Sequence, residues 1–189
     1  MRKLILQMST TVDGFVGGKK GEMDWLEKNQ DDKFIKLYQK DIINSVDTLI
    51  MGRKMTKVFI SYWENIANNE PNNPGFEFAQ KLVDIPKIVF SKKIKTVAGK
   101  NIKVENGDLV TIIKKLKKKK GKDILVYGGA NFVSSLIKNN LIDEFNFFIH
   151  RTAIGNGLKI FTDTTKLKLI NSKSYECGIV ANQFKPDND

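Results

Sequence analysis

Residues 124–127 read Ile-Leu-Val-Tyr, an apolar run closed by Gly128-Gly129 and followed by Phe132, Val133, Leu136 and Ile137 at helical spacing. A strand apolar on both sides must be covered on both faces, and such strands belong to parallel sheets whose crossover helices supply the cover. The same order recurs along the chain. Residues 48–51 form a short apolar strand stopped by Gly52, with helical spacing over 54–60; a helix over 76–83 leads through Pro86 to a strand over 87–90. A strand over 102–105 precedes Asp108, which suits the N-cap of a helix carrying Leu109, Ile112, Ile113 and Leu116 on one side. At the N-terminus, residues 2–10 alternate as a strand into the Asp13-Gly14 turn, and Phe34, Leu37, Tyr38 and Ile42 predict a helix over 32–42 behind Asp31 and Asp32. Residues 64–75 are an Asn- and Pro-rich loop. The tail segments 144–149, 167–173 and 176–183 are strand-like with no helix between them. The expectation is a single α/β domain over residues 1–189 with a mostly parallel central sheet ending in a C-terminal antiparallel hairpin.

A chain of 189 residues can bury one sizeable core. Its apolar runs fall far short of the roughly 20 residues of a membrane-spanning helix, and residues 1–14, with neither an apolar h-region nor a small-residue cleavage site, lead to the expectation of no export signal. Cys177 is the only cysteine and has no zinc-ligand spacing around it, so no disulfide and no metal site are expected, and a reducing, cytoplasmic setting fits. The 32 Lys and Arg against 21 Asp and Glu give a net charge of +11, which suits an anionic partner, either a nucleotide phosphate or a nucleic acid. The lysines of 114–122 lack interleaved aromatics and suit the solvated end of the helix behind Asp108, so a small molecule is expected rather than nucleic acid.

Three strand ends carry residues fit for a phosphate. Gly128, Gly129, Ala130, Asn131 and Phe132 join a strand to a helix, where glycines admit a ligand close to the backbone and free N–H groups attract an anion, although an ordinary tight connection reads the same way. Gly52, Arg53 and Lys54 place two cations at a helix start, against the helix dipole, which favours a ligand over a purely structural role. Ser91 and Lys92 end a third strand with a hydroxyl and a cation.

Met51-Gly52-Arg53-Lys54, Val89-Phe90-Ser91-Lys92 and Val126-Tyr127-Gly128-Gly129-Ala130-Asn131-Phe132 occur in the order found in dihydrofolate reductases, and the chain resembles that superfamily over nearly its whole length. Ser9 to Gly14, with Asp13, and the stretch with Gly155, Gly157 and Phe161 are similar to the reductase domain of riboflavin biosynthesis and its stand-alone relatives. The resemblance implies a three-layer fold with NADPH bound by Gly52, Arg53, Lys54, Ser91, Lys92 and Gly128 to Phe132, and with Arg53, Ser91 and Lys92 nearest the 2'-phosphate. It also implies a cis Gly128-Gly129 bond and hydride transfer to a C=N or carbonyl carbon of a pterin-like or ribosylaminopyrimidine substrate. A homodimer is expected, with Phe145, Phe147 and Ile149 near the contact. Asp31 reads either as a substrate-facing acid or as a helix cap; Asp13 either orients substrate or makes a turn; Asp24 and Trp25 fall in the loop over the substrate, where Trp25 reads equally as core. His150 has no role in this reading. A cofactor-binding protein without catalysis and a basic nucleic-acid-binding domain are the alternatives.

Overall fold

The structure is a computed structural model that describes residues 1–28, 31–73 and 75–187, and of residues 38–40 the backbone. Pro74 and the side chain of Tyr38 lie outside the described residues. The strands are β1 (Leu4–Thr11), β2 (Val46–Gly52), β3 (Lys87–Phe90), β4 (Ile102–Glu105), β5 (Asp123–Gly128), β6 (Glu144–His150), β7 (Leu167–Ser174) and β8 (Val180–Pro186). The helices are α1 (Asp32–Ile35, widening into a π-helical stretch Lys36–Ile42), α2 (Arg53–Asn69), α3 (Phe76–Asp84), α4 (Leu109–Lys117) and α5 (Ala130–Lys138). All strands join one sheet in the order β4-β3-β2-β5-β1-β6-β8-β7, parallel from β4 to β6 and antiparallel where β8 meets β6 and β7.

Alternation along the central strands sends apolar side chains to both faces. Leu4, Leu6, Ile124 and Val126 meet Ile113 and Leu116 of α4 and Val133 and Leu136 of α5. Ile5, Leu49, Met51 and Leu125 meet Phe59 of α2 and Phe78 and Leu82 of α3 on the opposite face. That second face continues under α1, where Phe34 packs edge-on against Phe148 at 5.0 Å and against Tyr175 at 5.4 Å. Among the described residues no helix is long and apolar enough to cross a membrane.

Two stretches depart from the sequence reading. Helix α2 runs on to Asn69, through residues expected to form a loop, because Trp63 and Ile66 continue the inward face begun by Phe59. Trp63 Nε1 donates to the Tyr127 hydroxyl at 2.9 Å, and Asn65 bonds Asn69 and Glu70, so polar residues here extend the helix. In the tail, residues 176–178 form a turn and β8 starts at Val180; Gly178 supplies the positive φ of 84° that the turn requires. The Phe145 and Phe147 side chains are 3% and 7% exposed and pack against Phe161 and Phe184, so neither offers the subunit contact anticipated for them.

Candidate functional site

Helices α2 and α5 leave the C-terminal ends of two neighbouring strands, β2 and β5, toward opposite faces of the sheet. Such a divergence opens a crevice outside the strand ends, the common ligand position in open α/β sheets. Met51 pairs with Gly128 and Gly52 with Phe90, so the three loops singled out in the sequence stand on consecutive strands β3, β2 and β5. Neighbouring strands lie roughly 4.8 Å apart, and Arg53 and Ser91 each follow one of the paired residues Gly52 and Phe90.

The glycines are needed where these loops meet. Gly128 and Gly129 have φ of 138° and 95°, values that side chains rarely tolerate. A Cβ on Gly52 would stand 2.7 Å from Phe132 Cβ, and one on Gly129 would stand 3.6 Å from Gly52 Cα. Phe132 in turn stacks on Phe90 at 5.1 Å. The Gly128-Gly129 bond is trans, which corrects the cis geometry that the resemblance implied.

Neither α2 nor α5 has a side chain capping its N-terminus, so their first N–H groups remain available to an anion. Arg53 is half-buried and Lys54 and Lys92 are exposed, and none of the ion pairs among the described residues uses them. Ser91 Oγ accepts from the N–H groups of Lys93 and Ile94 at 3.0 and 3.2 Å, which folds the loop and leaves the hydroxyl proton free to donate. Ala130 and Phe132 are half-buried at the start of α5, and Asn131 is exposed.

The acidic candidates stand elsewhere. Asp13 is exposed and its carboxylate accepts from Gly155 N at 2.7 Å and from Ile154 N at 3.1 Å. The Thr11 hydroxyl first, then these N–H groups, hold its carboxyl below the ordinary range. Gly157 lies against Gly17 in the same place, with Leu158 N donating to Gly17 O at 2.8 Å, so the two similarity stretches pin each other together. Asp31 caps α1, accepting from Phe34 N at 2.9 Å, and also ties down the β7–β8 turn through Cys177 N at 3.1 Å. The Phe34 N–H is the main cause of its lowered pKa. Both carboxylates are therefore charged acceptors at neutral pH. Asp24 is exposed, whereas Trp25 is 7% exposed, donates to Glu22 O at 3.1 Å and meets the His150 ring edge-on at 5.4 Å.

The sequence reading passed over a polar strip on the face under α1. Gln7 and His150 are 9% and 1% exposed, and Gln7 Oε1 and His150 Nε2 are buried with no hydrogen-bond partner among the described residues. On the same face, between α1 and the sheet, lies a cavity of about 520 Å³ lined by Ile5, Leu37, Asn146, Phe148, Tyr175 and Gln183 among others; neither Gln7 nor His150 is part of its lining. A glutamine interrupting the inward face of a central strand was the available signal.

Among solved structures the chain is similar to a putative riboflavin biosynthesis protein from Shewanella sp. PV-4, with TM-score 0.73 and 22% identity over 98% of this chain and 99% of that one. It is also similar to a diaminohydroxyphosphoribosylaminopyrimidine deaminase/5-amino-6-(5-phosphoribosylamino)uracil reductase from Thermotoga maritima, with TM-score 0.68 and 16% identity over 98% of this chain and 57% of that one. These likenesses show the fold. Among curated proteins it is similar to the uncharacterized protein YyaP of Bacillus subtilis, 34% identical over 182 residues, 95% of this chain and 92% of that protein. The family model described as the RibD C-terminal domain matches residues 2–181, and the chain belongs to that family.

Proposed function

We propose that the protein is an NADPH-dependent reductase with its cofactor across the β2–β5 crevice. The observation that carries this reading is the contact of the Gly52 and Gly129 loops at strand ends that also carry Arg53, Lys54 and Lys92, none of which forms an ion pair among the described residues, with Lys92 near enough to Asp108 to help lower its pKa. Glycine loops that meet closely, two helix starts without side-chain caps, and Arg53 and Ser91, which follow paired strand residues, fit a dinucleotide with a 2'-phosphate. Bound NADPH would supply the hydride. The residues of the chain position rings and exclude water: Gly128 to Phe132 and Gly52 hold the pyrophosphate, and Arg53, Ser91 and Lys92 hold the 2'-phosphate. Asp13 and Asp31 act through the loops they tie down, one on each side of the substrate space, which Asp24 and Trp25 border.

The substrate class we propose is a ribosylaminopyrimidine, reduced at a C=N or carbonyl carbon, in keeping with the family and with the second activity named for the Thermotoga protein. A cytoplasmic homodimer acting on this small molecule completes the proposal. NADPH is expected to bind at least tenfold more tightly than NADH in a fluorescence titration, and equal dissociation constants would sink the assignment. One observation favours a second reading, cofactor binding without catalysis: both candidate acids are charged hydrogen-bond acceptors, so neither stands ready to give a proton. Tight NADPH binding without oxidation by any ribosylaminopyrimidine or dihydropterin selects that reading.

A further inference from the structure

The loop that leaves β3 is closed by a residue outside it. Ser91 N donates to Glu105 O at 3.1 Å, which continues the β3–β4 pairing past its last partners, Phe90 and Glu105. The next residue on the β4 side, Asn106, reaches back across the gap: its Nδ2 donates to Ser91 O at 2.6 Å and to Ile94 O at 2.7 Å. An amide nitrogen carries two protons, and these carbonyls engage both. Inside the loop, Ser91 Oγ accepts from the N–H groups of Lys93 and Ile94.

The turn that results has its polar groups sorted. The carbonyls at its two ends, which would repel an anion, are engaged by Asn106. The Ser91 hydroxyl proton and the exposed side chains of Lys92 and Lys93 remain for a ligand. Asn106 is itself exposed and lies outside any strand or helix. Nor does α4 need it, because Asp108 caps that helix through Thr111 N at 2.8 Å and Thr111 Oγ1 at 2.7 Å. The Thr111 N–H chiefly, and Lys92 among the lesser causes, hold the Asp108 carboxyl below its ordinary range. Lys92 is thus close to Asp108 without forming an ion pair with it. Released from the Asn106 bonds, the turn would let Lys92 close on Asp108 and be lost to a ligand.

We propose that Asn106 is a positioning residue for cofactor choice: by holding Ser91 and Ile94 it presents the Ser91 hydroxyl and Lys92 to the 2'-phosphate that distinguishes NADPH from NADH. It acts through the turn, since both its amide protons are engaged by the protein. The 2'-phosphate rests on the reductase reading; the closure of the turn by Asn106 does not.

Asn106→Leu keeps the size of the side chain and removes both donors. NADPH, NADH, adenosine 2',5'-bisphosphate and adenosine 5'-monophosphate are titrated against wild type, Asn106→Leu, Ser91→Ala and the double variant, with a melting temperature for each protein. Wild type is expected to prefer the 2'-phosphorylated member of each pair. Asn106→Leu should weaken both 2'-phosphorylated ligands by about fivefold or more, as for a lost hydrogen bond, and leave the other two within about twofold. The double variant should bind NADPH no more weakly than the weaker single variant, because coupled residues do not add. An Asn106 with a merely structural role would lower the melting temperature and affect all the ligands alike. That result, unchanged binding, or losses that multiply in the double variant overturns the inference and leaves the 2'-phosphate site standing. A wild type that fails to distinguish NADPH from NADH overturns the 2'-phosphate site and this inference with it.

Discussion

Lys87 offers a test of how the third candidate loop, the one at the end of β3, is held in place. It starts β3, whose other end delivers Ser91, yet its side chain is turned inward and is 2% exposed. Its ammonium donates to three carbonyls at the end of α3: Leu82 O at 3.0 Å, Val83 O at 2.7 Å and Ile85 O at 2.9 Å. These are among the groups a helix C-terminus leaves without partners. Lys87→Met keeps the stem and removes the donors, and two terms then oppose each other. Each buried carbonyl left unpaired costs about 1–3 kcal/mol. Against that, burial lowers the Lys87 pKa from 10.5 to about 8, so at neutral pH the folded state carries a penalty of about 3.4 kcal/mol for keeping the charge, at about 1.36 kcal/mol per pKa unit. Three lost bonds outweigh one relieved charge, and the variant should be less stable by about 2–3 kcal/mol at pH 7.

The opposition has a pH signature. With the folded pKa below the unfolded one, the unfolded chain binds more protons between pH 8 and 10.5, so wild-type stability gains from this group as pH rises through that window. The Met variant lacks the gain, and the gap between the two proteins should widen from pH 8 to pH 10.5. Urea denaturation followed by circular dichroism at pH 7, 9 and 10.5, at constant ionic strength, measures it. Parallel curves, or a variant more stable than wild type at pH 7, would refute the reasoning.

Other outcomes follow from the crevice. Arg53→Ala should weaken NADPH by about 1.5–3 kcal/mol and NADH by less, as for a lost charged hydrogen bond; equal losses in paired titrations would move Arg53 to the shared pyrophosphate. Gly129→Ala must hold an alanine at a φ of 95° beside Gly52, and NADPH affinity should fall at least tenfold; a lower melting temperature with unchanged affinity would reduce the glycine to a turn former. Light scattering should show a dimer, and a species of only 21.5 kDa at micromolar concentration would reject it.

The alternation of strand, glycine and helix was legible because it follows from burial: residues 124–127, short, apolar and closed by two glycines, read as a doubly covered strand, and β3 and β4 fall on the residues their apolar runs mark. Asp108 caps α4 through Thr111 N at 2.8 Å, as its position before the apolar stripe requires. The end of α2 was misread because its asparagines were taken for loop formers, although Phe59, Trp63 and Ile66 keep helical spacing through them. Local composition lost there to tertiary packing, and the same competition set the start of β8, where Cys177 is drawn to Asp31 across 146 positions of sequence.

The glycine loops of the crevice were legible for a different reason: glycine at a strand end beside a cation has few uses, and close backbone approach is one of them. The polar strip was not. A histidine with no neighbour in sequence gives no sign of a role, since what matters about His150 is a hydrogen bond from Glu27, 123 positions away, and the lack of one at its other nitrogen. Gln7 carried a fainter sign, a polar residue where the inward alternation of β1 calls for an apolar one, and the bland account of such a residue is a partner across the strand. Asn146 is placed to be that partner and bonds Glu144 instead, at 3.2 Å. A buried amide passed over by its own neighbour in the strand pairing is a feature that sequence cannot show and a folded structure can.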